Sequence, residues 1–133
     1  MYLVQIGPTD VFQALSDPVR LRIIRVLADP KIKEACSCDL AEALNEPEYA
    51  ISRQLKVLRA TGLLTAEKEG RWIYHKIQVD HPDLRRLISV ISEFSDADGQ
   101  CKADRKQLQR LIDARSGGRC VGQKQKSSIR ETG

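Results

Sequence analysis

The sequence has no apolar run approaching the length of a membrane span, and "MYLVQIGPTD" lacks both the basic start and the cleavage pattern of a signal peptide. These absences predict a cytoplasmic protein with no membrane partner. Cysteine is also sparse. Cys36, Cys38, Cys101 and Cys120 are too few to staple 133 residues, and thiols kept reduced point to metal or metalloid binding or redox sensing before structural disulfides. There are no telling paired carboxylates, no nucleophile with a base at a recognisable spacing and no glycine-rich phosphate loop. An enzyme is therefore not expected, and a small thiol enzyme or metallochaperone ranks last among the function classes.

An excess of charge is missing from most of the chain as well. The formal net charge is +4, but residues 115–133 hold five basic residues and one acidic one, which accounts for all of it. The body is balanced, so net charge alone does not establish a nucleic-acid partner, and patterning has to carry that argument. What is present suits one small domain: 133 residues, 41% of them hydrophobic, allow a single core, and no internal repeat divides it.

Helical spacing dominates the first half. "PTDVFQALSD" predicts a short helix, and "SDPVRLRIIRVLADP" a core helix with Asp17 as cap, Pro18 at its first position and Pro30 beyond its end. After a polar connector, "SCDLAEALN" reads as a third helix closed by Asn45. "EPEYAISRQLKVLRATGLL" reads as a fourth, with Ile51, Leu55 and Leu58 on one face and Gly62 as its stop. The period then becomes alternating in "LLTAEKEGRWIYHKI", a hairpin turning at Glu69-Gly70. "DHPDLRRLISVISEFSD" predicts a fifth helix capped by Asp80, and "CKADRKQLQRLIDARSGG" a weaker last one. The expected fold is mainly α with a β-hairpin wing, a winged helix-turn-helix. Residues 1–98 would form the DNA-binding and dimerisation domain, and 99–133 a C-terminal helix with a flexible, basic, cysteine-containing tail.

A helix that enters the major groove must be apolar behind and polar in front. "YAISRQLKVLR" meets that condition: Tyr49, Ser52, Arg53 and Gln54 could reach base edges, Lys56 and Arg59 phosphates, and Arg71 at the wing turn a flanking strand. The plain alternative is a solvated helix face and a salt-bridged hairpin. The helix-turn-helix and wing in this order favour double-stranded DNA as the partner.

"FQALSDPVRLRIIRVL", "CSCDLAEAL" and "YAISRQLKVLRATGLLTAEKEGRWIYHKI" together resemble the arsenic repressor (ArsR/SmtB) family of winged-helix regulators, from Val11 to Phe94. The resemblance implies a homodimer packed through its first and fifth helices, repression by operator binding, and release when an inducer binds. It also implies recognition around Ser52 and Arg53. Gln54 stands where the family commonly has histidine, which leaves the operator sequence open.

The family's sensor sites use different helices. A zinc or nickel site on the fifth helix would need spaced histidines and carboxylates, and this one offers only His81 and Asp83 at its start; His81 reads as a helix-start residue and His75 as structural. "CSCDL" instead matches the segment with which the family's arsenite, antimonite, cadmium or lead sensors bind their ions, and soft thiolates at a helix start suit thiophilic ions. The alternative for Cys36 and Cys38 is a pair of small buried residues. Arsenite prefers three sulfurs, and Ala41 stands where the family often supplies the third, so the expected inducer site is Cys36 and Cys38 with Cys120 or Cys101, Cys120 being preferred for its flexible glycines. The chain has no N-terminal cysteine of the cadmium type. A redox or persulfide switch on the same fold is the other reading, with Cys101 or Cys120 as the partner, because a Cys-x-Cys disulfide closes a strained ring.

Overall fold

Proline and aspartate set the first two helices. In this computed structural model, which describes residues 7–114, α1 (Pro8–Leu15) and α2 (Pro18–Leu27) both start on a proline, whose missing N–H is not needed there. The Asp17 carboxylate accepts from the backbone N–H groups of Val19 and Arg20, both at 3.0 Å, the capping predicted from the sequence. Next come β1 (Glu34–Cys36), α3 (Ser37–Leu44) and α4 (Glu48–Ala60). Asn45 closes α3 in the left-handed conformation at φ 58°, and Gly62 at φ 82° lets the chain leave α4. β2 (Leu64–Glu69) and β3 (Trp72–Ile77) form the hairpin around Gly70, α5 (Pro82–Ser92) follows, and α6 (Gln100–Asp113) ends the described chain.

The helix-turn-helix of α3 and α4 followed by the hairpin is a winged helix, as expected. Two local readings change. Glu34–Cys36, expected to be part of a polar connector, is a third strand: β1 adds antiparallel to β3, giving the order β1-β3-β2 with Cys36 opposite Tyr74 and Ala35 opposite His75. Three residues are too few to display an alternating pattern, and what makes them a strand is the open edge of β3. Secondly, α5 is capped by His81 and not Asp80, its Nδ1 accepting from the Asp83 N–H at 3.2 Å. His81 is thus the helix-start residue the sequence indicated.

The core lies where α2, α3 and α4 meet under the sheet. Ile23, Ile24, Leu40, Ile51, Leu55 and Leu58 are wholly buried there, and Leu108 brings α6 into the same cluster. Each such side chain contributes roughly 1.5 to 3 kcal/mol by leaving water. α6 packs mainly on α3 and α2, where Arg22 joins the buried Asp104 carboxylate at 2.9 and 3.0 Å and donates to the Leu44 carbonyl at 2.8 Å. α5 is attached far more loosely. Of its eleven residues only Ile88 is buried; Val90 on it, Phe94 just past it and Phe12 on α1 are exposed by 53%, 63% and 58%. Among the described residues no helix is long and apolar enough to cross a membrane.

Candidate thiol site and nucleic-acid interface

Cys36 is at once the last residue of β1 and the N-cap of α3, and Cys38 lies in the first turn of that helix. Residues two apart share a face but stand about 7 Å apart along a strand and point to nearly opposite sides along a helix; at this strand-to-helix transition the two Sγ atoms stand 3.2 Å apart. Both are buried, at 2% and 7% exposure, and pack with Tyr74 and the half-buried Trp72 of the wing strand. A carboxylate oxygen of the buried Asp39 completes a group of three donor atoms, all within 4.8 Å of one another. Two soft sulfurs and one hard oxygen at the start of a helix form a donor set that fits a thiophilic cation or metalloid. Asp39 adjoins Cys38 in the sequence, which was the available signal for its place here. The cover by Trp72 and Tyr74 had none, because it follows from the unforeseen β1–β3 pairing.

The other two cysteines are placed differently. α6 carries Asp104 opposite the C-terminal end of α3, where Arg22 joins it to Leu44, and from there runs towards Asp29 and Lys31. Cys101, one turn before Asp104, is buried; its backbone N–H donates to Asp96 at 2.8 Å. That bond, with a second from the Lys102 N–H, holds the Asp96 carboxyl below its usual range. Within this protomer Cys101 is not part of the Cys36, Cys38 and Asp39 group. Cys120 lies outside the described residues.

On α4, Tyr49, Ser52, Arg53, Lys56 and Arg59 are exposed together, and Arg71 is exposed at the wing turn. The Arg53 guanidinium sits 5.6 Å from the centre of the Tyr49 ring, a cation–π contact that orients both outward. Gln54 differs. It is half-buried on the flank of α4, where its Oε1 accepts from Arg20 Nη1 at 2.6 Å while Arg20 Nε donates to the Ala14 carbonyl at 2.6 Å. Arginine has donors only, so the atom facing it must be the amide oxygen, and Gln54 ties α4 to the α1–α2 junction. Ser37, between the two cysteines, donates to Glu48 Oε2 at the start of α4 at 3.0 Å.

Arg59 is likewise engaged. Its Nη1 donates to Nε2 of His75, 2.7 Å away, and the His75 ring is buried at 3% exposure on β3. Burial, reinforced by the Arg59 charge and opposed by the Ala35 carbonyl, pushes the His75 pKa down to about 4. It is therefore a neutral acceptor at neutral pH, structural in the sense the sequence indicated.

A family model described as bacterial regulatory protein, arsR family, matches residues 17–66, from the cap of α2 into β2. The arsenic resistance transcriptional regulator ArsR2 of Pseudomonas putida KT2440 is 39% identical over 77 residues, 58% of this chain and 65% of that protein. The arsenical resistance operon repressor of Escherichia coli K12 is 37% identical over 75 residues, 56% of this chain and 62% of that one. The matched part thus spans a little under two thirds of either. An HTH-type transcriptional regulator of Methanocaldococcus jannaschii is 32% identical over 85 residues, covering 64% of this chain and 91% of that protein. Among solved structures, reduced HlyU from Vibrio cholerae shares the fold with a TM-score of 0.54 at 23% identity, over 62% of this chain and 82% of its own. The antimony-specific transcriptional repressor AntR gives a TM-score of 0.50 at 29% identity, over 66% and 81%. The relatives from Pseudomonas putida, Escherichia coli and Methanocaldococcus jannaschii, and AntR, are transcriptional regulators or repressors by name.

Proposed function

This chain belongs to the arsR family of bacterial regulatory proteins, and we propose that it is a homodimeric, cytoplasmic repressor that leaves its operator when arsenite or antimonite is held by Cys36, Cys38 and one further thiol. The observation that carries this reading is the buried sulfur pair, 3.2 Å apart, at the first turn of the helix that precedes α4. Two relatives are arsenic resistance regulators and a third is antimony-specific, in keeping with a trivalent metalloid. Cys120 is the preferred third ligand, from either subunit, with Cys101 second; the burial of Cys101 outside the group of Cys36, Cys38 and Asp39 supports that order. Asp39 favours a second reading, a divalent ion such as cadmium or lead taking two sulfurs and a carboxylate.

On DNA, Tyr49, Ser52 and Arg53 would reach base edges, Lys56, Arg59 and Arg71 the backbone, and Gln54 would position the helix on which they sit. Drawing a third sulfur to Cys36 and Cys38 shifts the start of α3. Half-sites lie about one DNA turn apart, so a small rotation of the two recognition helices spoils simultaneous docking. Coupling of about 1 to 3 kcal/mol is sufficient.

The test is release of reduced protein from DNA of its own upstream region. Arsenite should weaken wild-type binding at least about fivefold, the lower end of ordinary allosteric coupling. The double substitution Cys36→Ser and Cys38→Ser should bind DNA and ignore arsenite, Cys120→Ser should lose most of the response, and Cys101→Ser should keep it. Unchanged release by the double variant defeats the ligand set. A response to cadmium but not arsenite, lost in Asp39→Asn, selects the second reading.

A further inference from the structure

Beside the packing of α3 on α4, two hydrogen-bonded connections between the described residues lead from the Cys36–Cys38 segment to the recognition helix. The direct one is the Ser37 hydroxyl on Glu48, between half-buried residues at the start of α4. The other is buried and passes through the wing. Cys36 pairs with Tyr74 and Ala35 with His75 in the β1–β3 ladder, and His75 then accepts the Arg59 guanidinium near the C-terminal end of α4 at 2.7 Å.

We propose that His75 is a positioning residue that transmits occupancy of the cysteine pair to the recognition helix, by setting where the Arg59 guanidinium stands. This rests on the proposed inducer site and adds the route by which that site acts. Cys36 belongs to β1 as much as to α3, so a ligand that draws its sulfur towards Cys38 and a third thiol pulls on the strand. A hydrogen-bonded ladder resists stretching, and the displacement passes to β3 at the register of Tyr74 and His75. His75 is closely packed, with no room to absorb it. Its side-chain hydrogen bond among the described residues is to Arg59, an exposed residue with further N–H groups that a phosphate could accept from. When β3 moves, that guanidinium moves with it. The wing is then the lever between sensor and reader, and the buried ring is its contact point.

The experiment compares wild type, His75→Leu, His75→Gln and Ser37→Ala, each checked for native melting. The single tryptophan, Trp72, packs against Cys36, Cys38 and Tyr74 and reports ligand binding by its emission. In all four proteins arsenite should change Trp72 emission. Because His75→Leu frees Arg59, operator affinity without arsenite is measured for each protein, and release is read as the ratio of its affinities without and with arsenite. On arsenite, His75→Leu should retain less than a third of the wild-type fold-release, whereas His75→Gln, whose amide oxygen still accepts from Arg59, and Ser37→Ala should retain most of it. Full release by His75→Leu, or loss in Ser37→Ala alone, overturns the route. Should His75→Leu not fold, the wild-type protein decides: arsenite should shift the ¹⁵N resonance of His75 Nε2, and an unmoved resonance alongside a changed Trp72 emission overturns it. No Trp72 change and no release in wild type would instead remove the inducer site itself, a separate outcome.

Discussion

At the scale of single residues, His75 carries a consequence independent of any ligand. Its folded-state pKa of about 4 lies below the ordinary value of 6.5. Between those values the unfolded chain binds a proton that the folded chain refuses, so the neutral ring's contribution to stability is whole above about pH 6.5 and is lost as pH falls towards 4. At 1.36 kcal/mol per pKa unit, the loss is on the order of 2 to 4 kcal/mol. Urea denaturation at pH 7 and pH 4.5 should therefore show a larger fall for wild type than for His75→Gln, which keeps an acceptor for Arg59 but does not titrate. Carboxylates common to both proteins cancel in that difference. Equal falls would mean that the ring is protonated in the folded state, in conflict with its burial beside an arginine.

At the scale of elements, α6 is joined to the rest of the fold by the buried Leu108 and by Asp104. This carboxylate, 3% exposed in its side chain, accepts from Arg22 and from Gln100, while Arg22 also donates to Leu44 and Glu46 at the turn. The Asp104 hydrogen bond raises the Arg22 pKa, as an ion pair should. Asp104→Ala leaves a half-buried guanidinium with its two other partners, so the cost in urea should be about 2 kcal/mol, below that of a fully buried broken pair. Asp104→Asn should recover part of it. None of this partnership was legible in the sequence, because 82 residues separate Arg22 from Asp104. α2, α3, α4 and the wing were legible because caps, a 3.6-residue period, Gly62 and Gly70 are local signals. The Cys36–Cys38 pair was legible for the same reason. Its cover, Tyr74 and Trp72, was not, since it depends on β1 docking to a strand almost forty residues later, and the His75 acceptor for Arg59 was not, since it depends on how the wing packs against α4.

At the scale of the whole molecule, the exposed apolar residues Phe12, Val90 and Phe94 lie on or beside α1 and α5, and α5 buries one residue in its own protomer. A helix with so little attachment and an apolar surface gains most from a second copy of itself. In a two-fold interface every substitution counts twice. Replacing Phe12 and Val90 by lysine puts four charges into the proposed dimer contact while costing the monomer little, because both positions already face water. The predicted loss is at least about 3 kcal/mol of dimerisation, on the order of a hundredfold, read as a shift to monomer by light scattering at micromolar concentration. Operator binding should fall with it, and its salt dependence should flatten, because each protein–DNA encounter then neutralises the phosphates of one half-site instead of two. Measuring both quantities on one preparation separates the causes. A monomeric variant with the full wild-type salt slope would show that one copy makes all the phosphate contacts, and the inducer could then not act by changing the spacing of two recognition helices.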